Sequence, residues 1–260
     1  MKAHEYSVVY NNLNVRLKDC KQEGNKIAIC YGRTTYFDSL ITNRAMDYPF
    51  GNRTVREIYE PGPFISPLSE SKLSNHLGFN VFIQLADGGI IFIHRNSSVS
   101  IAKNMLATSI SASYKTKYGL DDQRHMTQEY ISNAIRMEIR DELKIEIDRH
   151  MDLSQNIFAF YRDLVEGGKP QFLFYLELPD LTKDQFVADF ENEYNDRQKR
   201  KADKKNVLTD GNKFEYFTAE QLSGFQYNVN NIVTGDGVKY KMMPSSIVSV
   251  VLLLRFLGRE

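Results

Sequence analysis

Residues 129–145 read EYISNAIRMEIRDELKI and carry three acids, Glu138, Asp141 and Glu142, at spacings of 0, 3 and 4. On an α-helix, at about 100° per residue, Asp141 and Glu142 each lie within roughly 60° of Glu138. The apolar side chains that project into or beside that sector are Ile131, Ala134, Ile135, Ile139 and Ile145. The basic side chains project to the other side and are Arg136, Arg140 and Lys144. The stretch therefore predicts a helix whose acids share the face that should be buried.

Acids on a buried face are costly. Glu138 and Glu142 are like charges four residues apart, which destabilise even an exposed helix by a few tenths of a kcal/mol, and burial adds a desolvation cost. A hard divalent cation would relieve both costs, because it prefers carboxylate oxygens. An ordinary amphipathic helix whose acids lie at the edge of its apolar stripe and pair with Arg or Lys explains the same pattern. The helix alone leaves both interpretations open.

The amino-acid composition limits the number of domains, the kinds of partner and the cellular setting that are expected. The chain has 260 residues, of which 42% are hydrophobic, enough for a full core and one or two domains. Its 33 basic and 33 acidic residues balance, so overall charge favours neither nucleic acid nor an anionic membrane as a partner. Two cysteines, Cys20 and Cys30, are too few for a disulfide framework, which favours a reduced, cytoplasmic setting.

Neither end of the chain carries a membrane signal. The first residues, MKAHEY, lack the apolar core of a signal peptide. The longest apolar run, 247–254, is too short to span a bilayer. It follows Pro244, a reasonable helix start, and predicts a buried C-terminal helix that ends near Gly258.

The chain divides near residue 70. Residues 1–70 are predicted to form a small β-rich region, with short apolar segments at 6–10, 26–31 and 35–41. The sequence YEPGP at residues 59–63 interrupts regular structure. Residues 71–260 are predicted to form the second domain.

Two hairpins flank the acidic helix. Asp87 and Gly88 separate two apolar strands within residues 78–94, a strong hairpin signal, and residues 156–164 and 170–178 form the second pair. Residues 184–190 have helical apolar spacing, and residues 213–217 form a last strand. The order predicts a mixed sheet between helices, an α/β/α sandwich.

With the acidic helix at its centre, this order resembles the Nudix hydrolase family. The family motif is G-x5-E-x7-R-E-U-x-E-E-x-G-U, where U is aliphatic. The positions that match are Glu129, Glu138, Ile139, Glu142 and Ile145, with Asp141 as a conservative replacement. The departures are Gln123 and Lys144 in place of the two glycines and Met137 in place of the arginine. That arginine normally pairs with the upstream glutamate, so its loss predicts a surface-facing Glu129. Lys144 means that the helix does not end on a glycine cap.

The resemblance implies an activity and a site. Nudix enzymes cleave the pyrophosphate bond of a nucleoside diphosphate linked to another group, such as a sugar. It implies Glu138, Asp141 and Glu142 as ligands of Mg²⁺ or Mn²⁺, with Glu138 or Glu142 also serving as the catalytic base. Arg95, at the end of a predicted strand, is a candidate phosphate contact, and a solvated strand end is its alternative.

Three functions remain open at this stage. The leading hypothesis is a metal-dependent pyrophosphohydrolase that acts on a nucleotide as a small-molecule substrate. The second is a Nudix-fold module that binds or senses a nucleotide without cleaving it, which the lost arginine and glycines favour. The third is an unrelated structural α/β protein. A homodimer is a further expectation, because family members often dimerise.

Overall fold

The computed structural model describes residues 11–24, 26–97, 102–118, 126–201 and 211–259. The N-terminal part is rich in β-structure, as predicted. Its elements are β1 (Leu13–Glu23), β2 (Lys26–Thr35), α1 (Tyr36–Ile41), β3 (Pro49–Phe50), β4 (Arg53–Thr54) and α2 (Val55–Tyr59). Strands β1 and β2 form a long antiparallel hairpin. The apolar segment 35–41 is helical, because Thr35 and Asp38 form a capping box at its start. The segment 6–10 lies outside the described residues.

A mixed sheet forms the centre of the molecule. Its strands are β5 (Gly78–Leu85), β6 (Ile90–Arg95), β7 (Leu106–Thr108), β8 (Ile110–Ser113), β9 (Ile157–Asp163), β10 (Lys169–Leu178) and β11 (Gly211–Phe217). The main path runs β11-β6-β5-β10-β9, with β7 on β6 and β8 on β5. Strands β5 and β10 are parallel, and the other neighbours are antiparallel. Both predicted hairpins and the predicted strand at residues 213–217 are therefore confirmed, although three short strands follow it in the chain.

Helices cover both faces of this sheet. They are α3 (Gln128–Leu143), α4 (Lys183–Lys201), α5 (Ala219–Ser223) and α6 (Pro244–Phe256). Alternate strand residues serve opposite faces: Phe79 and Val81 pack with α3 and α4, whereas Phe82 packs with α5 and α6. The α/β/α sandwich and the C-terminal helix are thus confirmed. Among the described residues, no helix is both long and apolar enough to cross a membrane.

A small sheet precedes α6 in the chain. Its strands are β12 (Gln226–Asn228), β13 (Asn231–Val233) and β14 (Lys239–Lys241). Ile232 of β13 is fully buried in the core beneath α5 and α6.

The first hairpin opens beyond its turn. Strands β5 and β6 pair only at Gln84 and Ile90. Farther along, β6 pairs with β7, and β5 pairs with β8. The sheet is therefore loosened on the side where β7 and β8 join it.

The N-terminal hairpin joins this loosened side. The Val15 amide donates to the Tyr114 carbonyl at 2.8 Å, and the Leu77 amide donates to the Val15 carbonyl at 2.8 Å. Val15 and Leu17 are fully buried in the core that also contains α3. Strand β1 thus runs across the ends of β8 and β5 and bonds to both through one edge, whereas its other edge pairs with β2. The domain boundary near residue 70 stays a prediction.

Candidate functional site

A polar cavity of about 350 Å³ lies where β1, β7 and β8 meet the loosened sheet. Its wall collects charged side chains from distant parts of the chain. The basic side chains are those of Arg44, Arg95, Lys115 and Lys169, and the acidic ones are those of Glu138, Glu142 and Glu166. Hydroxyl groups come from β8 and from the start of α6, and amide side chains come from β1, β5 and β10. The cavity can therefore offer hydrogen bonds and charge to a polar ligand.

Helix α3 carries two of its predicted acids to this cavity. The helix is capped by Thr127, whose hydroxyl oxygen accepts from the Tyr130 amide, and it packs on the sheet through Ala134, Ile135 and Ile139. Glu138 and Glu142 line the cavity, and Glu138 is 6% exposed.

Asp141 departs from the predicted arrangement. Its side chain is 49% exposed, does not line the cavity, and lies 3.4 Å from the Arg140 guanidinium. Asp141 and Glu142 are consecutive, so they project about 100° apart on the helix. The prediction that all three acids share a buried face is therefore wrong for Asp141. Its role as a metal ligand stays a prediction.

Lys115 neutralises the buried acid. The ammonium of Lys115, which follows β8, lies 2.5 Å from Oε1 of Glu138. The Tyr130 hydroxyl donates to the Lys115 carbonyl at 2.9 Å and so ties this backbone to α3. For Glu138, the paired-acid interpretation of the helix describes the geometry.

Glu129, Met137 and Lys144 are the motif positions at which the family pattern is changed or loses its partner. Glu129 is exposed in the first turn of α3, as the loss of the motif arginine predicts. Met137 packs against the core beneath the helix. Lys144 ends the helix with φ 63° and ψ 23°, a left-handed conformation that glycine adopts more easily. Gln123 lies outside the described residues.

Arg95 also reaches the cavity. It ends β6 and lines the wall together with Glu138 and Glu142, so the structure brings these three predicted site residues together. Its backbone amide donates to the Met105 carbonyl at 2.9 Å, which fixes the strand end. A phosphate contact by Arg95 stays a prediction.

The carboxylate groups at the cavity decide whether the metal ion that the resemblance implies could be held there. In the described parts of the chain, no three His, Cys, Asp or Glu side chains form a group that could hold a metal ion. Glu138 and Glu142 nevertheless offer carboxylate oxygens, and Mg²⁺ is often held by one or two carboxylates plus substrate phosphates. The residues present therefore fit Mg²⁺ or Mn²⁺ held together with a phosphate ligand and do not fit a cluster of three protein carboxylates.

A second charged pair, Lys169 and Glu166, also lines the cavity. Lys169, which is 5% exposed, lies 3.2 Å from Oε2 of Glu166. Burial opposes ionisation of Glu166, but the nearby Lys169 and Arg44 outweigh it and lower the pKa of Glu166. Burial lowers the pKa of Lys169, and Glu166 opposes that shift.

The turn between β9 and β10 positions this pair. Gly167 and Gly168 have φ values of 61° and 81°, and a Cβ on Gly167 would lie 2.7 Å from Cδ1 of Leu73. Glycine is therefore required in this turn. The sequence predicts the hairpin of residues 156–178 but gives no site role to the charged residues beside its turn.

Comparisons with known proteins add little. No family model and no curated protein matches the chain. The chain is similar to the structure of DR0079 from Deinococcus radiodurans, with 18% identity over 57% of this chain and 70% of that one, and a TM-score of 0.31. It is also similar to the MutT protein from Methanosarcina mazei Go1, with 8% identity over 70% and 93% of the two chains, and a TM-score of 0.37. Likeness at this level carries no argument about family or activity.

Proposed function

We propose that this protein binds a nucleoside diphosphate derivative in the cavity and hydrolyses its pyrophosphate bond. The observation that supports the proposal is that two acids of α3, Glu138 and Glu142, line one cavity together with the basic side chains of Lys115 and Arg95. Its volume of about 350 Å³ lies within the range of small-molecule sites.

The basic side chains suit a diphosphate. Arginine presents a planar fork of donors to phosphate oxygens, and lysine provides a compact charge. Lys115 lies beside the two acids of α3, where it can contact a phosphate oxygen and remain close to Glu138. Arg95 lines the same wall.

Glu138 and Glu142 are the proposed catalytic residues. They would hold Mg²⁺ or Mn²⁺ together with the substrate phosphates, and either could accept a proton from water. When bound, the metal would neutralise phosphate oxygens and lower the pKa of water. Asp141, the third proposed ligand, would need to turn toward the cavity.

A second candidate function is nucleotide binding without hydrolysis. The 2.5 Å contact between Lys115 and Glu138 favours it, because a lysine already neutralises the acid that a metal would use. The outward position of Asp141 favours it as well.

Pyrophosphate hydrolysis separates the two candidates. Nucleotide-sugars, dinucleotides and nucleoside triphosphates would be incubated with the protein and Mg²⁺, and phosphate release would be followed after phosphatase treatment. We expect turnover of a nucleoside diphosphate derivative that falls at least 100-fold in Glu142→Gln. The matched control is Glu146→Gln, at an exposed position, which should retain wild-type turnover. Ligand binding with no turnover in the wild type would support the binding module instead.

A further inference from the structure

The N-terminal part of the chain builds one end of the cavity. Asn12, Asn14, Tyr36 and Arg44 all line its wall, although none belongs to the motif helix or to the central sheet. Nothing in the proposed hydrolysis requires these four residues. Their position suggests a part in ligand selection.

Buried amides hold Arg44 in place. Its neighbour Asn43 is 1% exposed and donates through Nδ2 to Oδ1 of Asn75 at 3.0 Å and to the Glu166 carbonyl at 2.8 Å. Oδ1 of Asn43 accepts from the Asn75 amide at 2.7 Å. These bonds fix the turn that carries Arg44 against the turn that carries Glu166 and Lys169.

The Arg44 guanidinium has unused donors. Its Nε and Nη1 are shielded from solvent and have no hydrogen-bond partner among the described residues. Its Cζ lies 5.8 Å from the centre of the Tyr36 ring, within cation–π range. Glu166 lies within electrostatic reach of Arg44, but its carboxylate contacts Lys169, at 3.2 Å. Buried charged donors without an acceptor are costly, so Arg44 is suited to receive an anion.

Asn14 provides an unused acceptor on the same cavity wall. The residue is 2% exposed, lines the cavity, and its Oδ1 has no partner in the part of the chain that the structure describes. A ligand hydroxyl could donate to this oxygen. The residues from the N-terminal part thus offer donors for an anion and an acceptor for a hydroxyl group.

Arg44 and Lys115 belong to different groups of charges on the cavity wall. Lys115 contacts Glu138 of α3, whereas Arg44 lies within electrostatic reach of Glu166 and Lys169, beside the turn between β9 and β10. The cavity therefore offers one basic side chain beside the acids of α3 for a diphosphate and another, Arg44, for the attached group.

We propose that Arg44, with Tyr36 and Asn14, forms a subsite for an oxyanion on a hydroxyl-bearing group linked to the nucleoside diphosphate. The oxyanion is a carboxylate or a phosphate, both of which match the guanidinium fork. The placement of this oxyanion on the group linked to the nucleoside diphosphate rests on the proposed function. The subsite selects ligands and takes no part in breaking the bond.

Two matched ligand pairs test the subsite by isothermal titration calorimetry. UDP-glucuronate and UDP-glucose differ by a carboxylate, and NADP⁺ and NAD⁺ differ by a phosphate. We expect the wild-type protein to bind the anionic member of at least one pair ten-fold or more tightly. The pair that shows the preference identifies the oxyanion. Arg44→Met should abolish the preference and leave affinity for the neutral member within two-fold.

Control variants separate recognition from folding. Arg33→Met makes the same change at an exposed position and should retain the preference. Arg44→Lys keeps the positive charge but lacks the forked donors of the guanidinium, so it should retain only part of the preference for the anionic ligand. Equal affinities within both pairs, or a preference that survives Arg44→Met, would overturn the subsite and leave the proposed function intact. An Arg44-dependent preference without turnover would overturn hydrolysis alone, and failure of all four ligands to bind would overturn both.

Discussion

At the scale of single residues, the acid that the sequence marks as costly has a lysine partner. Glu138 is almost fully buried, and a quarter of the Lys115 side chain is exposed. Removing one member of such a pair leaves the charge of the other buried without a partner, which lowers stability. Replacing both members with apolar groups leaves no buried charge, so it costs less.

A double-mutant cycle tests this pair. Glu138→Leu and Lys115→Met should each lower the free energy of unfolding by about 1–3 kcal/mol in metal-free buffer. The double variant should lose clearly less than the sum of the two losses, as measured by urea unfolding. Additive losses would show that the 2.5 Å contact contributes nothing to stability.

His76 gives the protein a pH-dependent stability. The side chain is 0% exposed, and burial, followed by the nearby charges of Lys169 and Arg44, lowers its pKa well below 6.5. As the pH falls below about 6.5, the unfolded state takes up a proton that the folded state does not, so unfolding becomes easier. Between pH 7.5 and 5.5, this residue should therefore lower the free energy of unfolding by about 1 kcal/mol.

Urea unfolding at the two pH values measures that contribution. His76→Phe, which keeps a ring of similar size, should show a smaller loss between pH 7.5 and 5.5 than the wild type. His150→Phe is the control at an exposed histidine and should keep the wild-type loss. An equal loss in His76→Phe and wild type would contradict a buried, neutral His76.

At the scale of elements, helix α3 ends in a backbone conformation that its sequence does not favour. Lys144 has φ 63°, and a left-handed conformation costs a residue with a side chain about 1–2 kcal/mol. Its ammonium donates to the Asp141 carbonyl, which offsets part of that cost. The backbone retains the geometry of a glycine exit even though the glycine is absent.

Lys144→Gly should therefore stabilise the protein. We expect the free energy of unfolding to rise by about 0.5–1 kcal/mol, because relief of the strain exceeds the lost hydrogen bond and the extra freedom of glycine in the unfolded chain. Lys144→Ala, which keeps a Cβ and loses the ammonium, should be neutral or destabilising in the same urea measurement. A lower stability for Lys144→Gly than for Lys144→Ala would show that the left-handed exit is not strained.

The elements that could be predicted are those whose own residues show a local apolar pattern or turn signal. The Asp87-Gly88 turn between apolar strands and the apolar stripe of α3 follow from local patterns. Strand β8 escapes prediction because its sequence, ISAS, is small and polar, and its pairing with β5 depends on where β6 diverges. Segment 35–41 forms a helix because Thr35 and Asp38 make a capping box, a signal that its apolar pattern does not carry.

The site was predictable only in part, for the same reason. Glu138 and Glu142 share a helix, so their spacing places them on one wall. Lys115 lies 23 residues from Glu138, and Arg44 comes from another part of the chain, so no local pattern links them to the cavity. Periodicity also could not show that the cavity lies on the Glu142 side of the helix and leaves Asp141 in solvent.

At the scale of the whole molecule, the N-terminal hairpin completes the cavity. Its strand β1 hydrogen-bonds to the continuations of both β8 and β5, and Val15 and Leu17 are fully buried against the same core. The cavity therefore combines catalytic candidates from the central sandwich with the proposed ligand-selecting residues of the N-terminal part.

The central claim is that this cavity binds the diphosphate of a nucleotide derivative beside the acids of α3. A crystal structure with Mg²⁺ and a nucleoside diphosphate derivative whose bridging oxygen is replaced by methylene tests it most directly. We predict that density for the two phosphates lies within the cavity, in contact with Lys115 or Arg95, and that Glu138 or Glu142 faces the metal. Density for the phosphates outside this cavity, in a complex whose affinity is unchanged by Glu142→Gln, would contradict the claim.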